Sequence, residues 1–126
     1  MTQTIRLFLL VEAAAFILAA LIHMGFFVSG YEHRQARVAE SVIAGVLFGG
    51  LLLSLFMSDW TRNIGIVVQL VALLGTMIGI LTIIVGIGPR TVPDVVYHIA
   101  ITVVLAAGIA VARSAPTDSV RDGVGS

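Results

Sequence analysis

The sequence contains no cysteine and no lysine. Without cysteine, the protein forms no disulfide, zinc–thiolate site, iron–sulfur cluster or covalently attached c-type haem. Charge is also scarce, because seven arginines and seven acidic residues are the only charged groups and make up 11% of the 126 residues. The formal net charge of zero leaves no basic surface for nucleic acid, which excludes that class of partner.

Apolar residues dominate the sequence instead. They make up 59% of the chain, against about 45–50% in soluble domains. Four apolar runs each come close to the roughly 17–25 residues that a helix needs to cross about 30 Å of hydrocarbon. The runs cover residues 5–28, 38–57, 64–87 and 93–112. We therefore expect an integral membrane protein with an all-α fold, a four-helix up-and-down transmembrane bundle.

This bundle is expected to form a single domain, residues 1–113, in the lipid bilayer. Residues 114–126 are polar and rich in Ser, Asp and Gly, so we expect a disordered C-terminal tail. Four spans place both termini on one side of the membrane, and the arginines then indicate which side. The terminal side carries Arg6, Arg62, Arg113 and Arg121, and the opposite side carries Arg34, Arg37 and Arg90. This distribution favours cytoplasmic termini.

Small residues indicate where helices approach one another. Gly45 and Gly49 in the second run, and Gly75 and Gly79 in the third, have the spacing of GxxxG motifs. Such pairs let two helix backbones come close in a lipid environment. The same motif serves packing within one chain and packing between copies, so both a self-contained bundle and a homodimer or larger membrane complex are compatible with it.

Polar side chains recur at one depth in the predicted bundle. His23 lies five residues before the end of the first run, and His98 lies five residues after Pro93 at the start of the fourth. Since neighbouring helices run in opposite directions, both imidazoles are expected at the same height, on the side away from the termini. Glu40 and Thr82 reach that height from the second and third helices. Polar groups within hydrocarbon usually face other helices and mark function, so we predict a site in this layer.

Two kinds of cofactor suit the layer. His23, His98 and Glu40 provide two imidazoles and a carboxylate for a metal ion, and the two imidazoles alone can hold a b-type haem. Asp94 lies one turn before His98 and is expected to orient that ring, with Thr82 nearby. We therefore predict a small membrane protein that binds a metal ion, a haem or another small ligand, alone or as an accessory subunit. No nucleophile elbow, phosphate loop or HExxH motif occurs, so a conventional enzyme is not expected.

Glu12 supports a different interpretation. It precedes His23 by eleven residues, close to three helical turns, so both side chains project from one stripe of the first helix. A chain of this size with four spans and a single Glu in the first resembles the small multidrug resistance transporters, in architecture and in the position of Glu12 alone. The resemblance implies a proton-coupled transporter that works as a dimer through Glu12. The third span, residues 64–87, departs from that family because it has no Tyr or Trp to stack a lipophilic cation.

A third alternative is a purely structural membrane subunit. In that case the histidines are neutral and form hydrogen bonds between helices, without any ligand. Such interhelical contacts contribute roughly 0.6 kcal/mol each.

Overall fold

The computed structural model describes residues 1–117, and residues 118–126 of the predicted tail lie outside the described part of the chain. The described residues are helical and contain no strand. The four long helices are α1 (Thr2–His23), α2 (Arg34–Phe56), α3 (Thr61–Val85) and α4 (Val92–Ser114), and a 3-10 helix, Ser58–Trp60, precedes α3. All four long helices are apolar enough and long enough to cross a membrane. The predicted all-α, multi-pass membrane fold is confirmed.

The end of α1 differs from the prediction. We expected the first helix to continue to residue 28, but it ends at His23, and Gly25 follows with a φ of +84°. Glycine takes this left-handed conformation without steric cost, and the amide of Phe26 bonds back to the carbonyl of Leu21. The turn chemistry thus ends the helix although the next residues are apolar. His23 is therefore the last residue of α1 and does not lie five residues inside it.

The starts of α2 and α4 are fixed by side-chain caps. The His33 ring accepts a hydrogen bond from the Ala36 amide, so α2 begins four residues earlier than expected, at Arg34. At α4, Thr91 and Asp94 form a capping box, with Pro93 in the first turn. Caps of this kind satisfy amides that have no partner within the helix.

Two arginines join helix ends on the side of the termini. Arg6 near the start of α1 donates to the Ser54 carbonyl and to Ser54 Oγ near the end of α2. Arg62 at the start of α3 donates to the Ala115 carbonyl just after α4. Each contact pairs the start of one helix with the end of another, as an up-and-down bundle requires.

The core runs along the centre of the bundle. Its largest fully buried apolar side chains are Ile5, Leu9, Leu47 and Leu105. Large apolar side chains also cover the outside of the bundle, among them Leu74, Ile84 and Val103. An apolar outer surface is expected where a helix faces lipid.

The two GxxxG pairs have different surroundings. A Cβ on Gly75 would lie 2.9 Å from Ile43 of α2, and one on Gly79 would lie 3.1 Å from the His98 ring of α4. These glycines therefore allow α3 to pack closely within the chain. A Cβ on Gly45 or Gly49 would meet nothing within 4 Å, so contact of that pair with a second copy stays a prediction.

Candidate functional site

Three of the predicted polar residues form a connected group, which we call the His23 cluster: Glu40, His23 and Asp94. His23 Nδ1 lies 2.7 Å from Glu40 Oε2, and His23 Nε2 lies 3.0 Å from Asp94 Oδ1. The exposed fractions are 3% for His23, 4% for Glu40 and 6% for Asp94. Because α1 thus contacts both α2 and α4, the helices are arranged in the closed order that the layer requires.

The local sequence explains why these side chains meet. The turn at Gly25 places His23 at the end of α1. The capping box fixes Asp94, because its Oδ2 accepts hydrogen bonds from the Thr91 amide and from Thr91 Oγ1. The other oxygen of Asp94 is left to bind His23. The same carboxylate therefore begins α4 and positions the imidazole of α1.

His98 joins the cluster through the backbone. Its Nδ1 lies 2.7 Å from the carbonyl oxygen of Asp94 and donates to it, because a carbonyl only accepts. In the neutral ring Nε2 is then an acceptor, and it lies beside Gly79 of α3. The two imidazoles form no hydrogen bond with each other. Instead Asp94 connects them, with its carboxylate on His23 and its carbonyl on His98.

Two expected roles change accordingly. The carboxylate of Asp94 was expected to orient His98, but it binds His23, because the capping box turns it away from the His98 ring. Thr82 lies at the expected height, half-buried, and its hydroxyl donates to the Gly79 carbonyl within α3.

The His23 cluster can carry a proton between two carboxylates. Only a ring protonated at both nitrogens donates to Glu40 and Asp94 at once, and imidazole is the side chain best suited to gain and lose a proton near neutral pH. A proton received on the Glu40 side can therefore leave on the Asp94 side. The geometry of this group allows proton transfer or the binding of a donor.

His23, which the predicted metal and haem sites share, is already bound at both of its ring nitrogens. Both nitrogens of His23 point at carboxylates, and Nδ1 of His98 is bound to a carbonyl. The predicted ligation of a haem by both imidazoles requires a free nitrogen on each ring. Among residues 1–117, no group of three or more His, Asp or Glu side chains converges in a way that holds a metal ion.

Two cavities adjoin the cluster on different sides. The α2–α4 cavity, of about 300 Å³, is bounded by α2, α3 and α4, and Glu40 and His98 line it together with Thr76 and Thr82. The α1–α4 cavity, of about 500 Å³, is largely apolar and includes His23, Asp94 and Tyr97 in its wall. The His23 cluster therefore reaches both cavities.

One atom of the cluster lacks a partner. Glu40 Oε1 is buried, and no described residue forms a hydrogen bond with it. Glu40 Oε2, by contrast, is held by His23. A buried carboxylate oxygen without a donor is costly, and Glu40 also lines the α2–α4 cavity.

Sequence reasoning missed Tyr97 as a half-buried neighbour of the site. Its ring contacts Phe16 and His98 edge to face, at centroid distances of 6.0 and 5.5 Å.

Glu12 lies apart from the cluster. It is fully buried in the middle of α1, and neither of its oxygens has a hydrogen-bond partner among the described residues.

No family model, curated protein or solved structure matches this chain. The interpretation of the site therefore rests on its own geometry.

Proposed function

We propose that this membrane protein binds a small amphipathic molecule, an amine or an alcohol, in the α2–α4 cavity. The ligand donates a hydrogen bond to Glu40 Oε1. The observation that carries this proposal is that Oε1 is buried and unpartnered in the described structure, whereas Oε2 of the same carboxylate is bound to His23. One half of the carboxylate is thus fixed and the other half is available.

The remaining polar groups of the cavity favour the same ligand chemistry. His98 Nε2 is an acceptor when Nδ1 donates to the Asp94 carbonyl. The hydroxyls of Thr76 and Thr82 already donate to carbonyls of their own helix, Ala72 and Gly79. The cavity therefore offers acceptors, and a ligand that brings N–H or O–H groups complements them.

The volume of the α2–α4 cavity also limits the ligand. Ligand pockets commonly measure about 300–1,000 Å³ and are mostly apolar with a few polar groups. A cavity of about 300 Å³ is at the small end of that range. It suits a compact molecule with one polar end.

The His23 cluster also provides a path for a proton that the ligand releases. A proton given to Glu40 can pass to His23 and on to Asp94. This path supports binding coupled to proton release, either in a protein that acts alone or in an accessory subunit of a membrane complex.

Four ring compounds of similar shape test the ligand class. We would titrate phenethylamine, phenethyl alcohol, phenylacetate and ethylbenzene into the purified protein in nanodiscs and measure binding by calorimetry. We expect the amine and the alcohol to bind, and Glu40→Leu to abolish their binding. Ser41→Ala, next to Glu40 on the exposed face of α2, is the matched control and leaves binding unchanged. Binding of phenylacetate or ethylbenzene alone would overturn the proposal, as would the absence of any binding.

Two alanines distinguish the cavities. Ala39 lines the α2–α4 cavity and Ala15 lines the α1–α4 cavity. We expect Ala39→Leu to weaken binding of the amine at least tenfold and Ala15→Leu to leave it unchanged. The reverse result would place the ligand in the other cavity.

Parallel measurements test the other functions that were predicted from the sequence. A Soret band or stoichiometric metal that is lost in His23→Ala would favour haem or metal binding. Substrate-driven proton release that is abolished by Glu12→Gln would favour transport. If neither these nor the ring compounds give a signal, the structural subunit is the remaining interpretation.

A further inference from the structure

A second polar group lies in the middle of the bundle, away from both cavities. It consists of Glu12 on α1 and Gln69 on α3, and the exposed fraction of each is 0%. Three of its oxygens, both of Glu12 and Oε1 of Gln69, are buried without a hydrogen-bond partner in residues 1–117. The proposed ligand site uses neither residue.

The backbone of α3 fixes the direction of the Gln69 amide. Gln69 Nε2 donates a hydrogen bond of 2.8 Å to the carbonyl of Gly65, one turn earlier. The amide nitrogen is thereby engaged, and Oε1 is directed away from it, toward α4. If the amide oxygen and nitrogen of Gln69 were exchanged, the oxygen would face the Gly65 carbonyl and no hydrogen bond could form. This hydrogen bond therefore decides which atom is the nitrogen.

Gly108 of α4 shows that the oxygens of Glu12 and Gln69 converge. A Cβ on Gly108 would overlap Gln69 Oε1 and would lie 2.7 Å from Glu12 Oε1. The two oxygens therefore crowd the same point on the α4 backbone. Only a residue without a side chain leaves room for both.

Two acceptor oxygens that crowd one point of the backbone without a donor need a hydrogen between them. An ionised Glu12 would leave a charge in the membrane interior without a partner, at a cost of several kcal/mol. The ion pairs of the described chain join His23 to Glu40 and to Asp94, and none reaches Glu12. A protonated carboxyl group supplies the missing donor.

We propose that Glu12 is a proton-binding site, and that its carboxyl group donates a hydrogen bond to Gln69 Oε1 beside Gly108. The proton converts two unsatisfied acceptors into one neutral hydrogen bond between α1 and α3. It also removes the charge from the centre of the bundle. This site is separate from the His23 cluster and does not depend on the ligand proposed for the α2–α4 cavity.

The surroundings favour a proton over a metal cation. Neither Glu12 nor Gln69 lines the α2–α4 or the α1–α4 cavity. Calcium takes six to eight oxygen ligands, and magnesium takes six, whereas this group offers three. A proton needs neither the space nor the additional ligands.

Six titratable side chains of the four helices are engaged elsewhere. Arg6 binds the end of α2, Arg62 binds the end of α4, and Glu40, His23, Asp94 and His98 are joined in and around the His23 cluster. The faces of α3 and α4 that meet Glu12 contribute Gln69 and Gly108. Loss of the proton would therefore create an uncompensated charge, so its release requires α1 to move away from α3 and α4.

Infrared spectroscopy of the full chain in nanodiscs tests the proposal. At neutral pH we expect a carbonyl band of a protonated carboxylic acid that is lost in Glu12→Gln. In Gln69→Leu the band persists and shifts to higher frequency, because its hydrogen-bond acceptor is gone. Glu32→Gln changes an exposed carboxyl group and leaves the band unchanged.

Two results would overturn the proposal. One is the absence at neutral pH of any carboxylic acid band that depends on Glu12. The other is loss of the band on adding sodium at constant pH, which would show that a cation replaces the proton. If Glu12→Gln fails to fold, Glu12→Asp keeps the acid and must move the band without removing it. None of these results depends on Glu40, so failure here is distinguishable from failure of the ligand proposal.

Discussion

Two buried glutamates of the bundle are in opposite situations. At the end of α1, Glu40 is bound to His23, which is bound in turn to Asp94. In the middle of the bundle, Glu12 faces Gln69 and the bare backbone of Gly108, with no cation and no donor near its oxygens among the described residues. Both glutamates are almost completely buried, at 4% and 0% exposure.

The difference between the two groups shows that burial alone does not decide the state of an acid in a membrane. A buried charge is tolerated when a partner of opposite charge and hydrogen bonds compensate for lost hydration. The His23 cluster meets that condition. The Glu12–Gln69 group has no partner of opposite charge among the described residues, and a single proton satisfies its acceptor oxygens instead. The following substitutions test this contrast, beginning with the largest expected effect.

Loss of the shared imidazole is expected to cost most. His23→Ala leaves Glu40 and Asp94 buried without the group that binds both of them. Removing one partner from a buried ionic group typically costs about 3–5 kcal/mol. We expect a loss of that size in the free energy of unfolding, measured by denaturant titration in detergent. Gln3→Ala, at an exposed position of α1, is the control, with a change within about 0.5 kcal/mol. Equal losses in the two variants would contradict the contrast.

Filling the space at Gly108 is expected to have the next largest effect. In Gly108→Ala the new methyl group overlaps Gln69 Oε1 and approaches Glu12, which forces both side chains apart. Overpacking of this kind costs about 1–3 kcal/mol. The matched control is Gly45→Ala, where a Cβ meets nothing within 4 Å. There the greater helix propensity of alanine is expected to stabilise the protein by up to about 1 kcal/mol. Thermal unfolding of both variants in the same detergent gives the comparison.

The sequence predicted the fold well because lipid imposes a simple length requirement. Four apolar runs of suitable length are enough to predict four spanning helices. The boundaries depend on local turn chemistry, which hydropathy does not report. Phe26, Phe27 and Val28 are apolar yet follow the end of α1, because Gly25 turns the chain.

The site was predicted less completely. Antiparallel helices fix the depth of a residue, and the structure brings His23 to Glu40 and connects it to His98 through Asp94. The rotation of each helix decides which atoms meet, and rotation is not readable from one sequence. The carboxylate of Asp94 was therefore assigned to the wrong ring. A similar depth of Gln69 and Glu12 could have been predicted from the sequence. Gln69 lies eight residues after the start of α3, and Glu12 lies ten residues after the start of α1.

A smaller effect is expected at the capping box. Thr91→Ala removes the cap of α4 and one of the groups that hold Asp94 Oδ2. Loss of an N-cap typically costs about 1 kcal/mol. We expect that loss of stability together with a weaker hydrogen bond between His23 and Asp94. The weaker bond is measured as a changed chemical shift of the His23 ring. Thr102→Ala, whose hydroxyl bonds only to the carbonyl of His98 one turn earlier, should leave that chemical shift unchanged.

The smallest effect is expected where an acid is already neutral. Glu12→Gln replaces a protonated carboxyl group with an amide of the same shape, and the amide N–H can still donate to Gln69 Oε1. Stability should therefore change by less than about 1 kcal/mol. Glu40→Gln should cost about 1.5–3 kcal/mol, because it replaces a hydrogen bond to a charged partner. An ionised Glu12 would give a different sign: removing an unpaired charge from the bundle centre would stabilise the protein by roughly 2.5–3.5 kcal/mol. Denaturant titration of the two variants at neutral pH thus distinguishes a neutral acid from a buried charge at position 12.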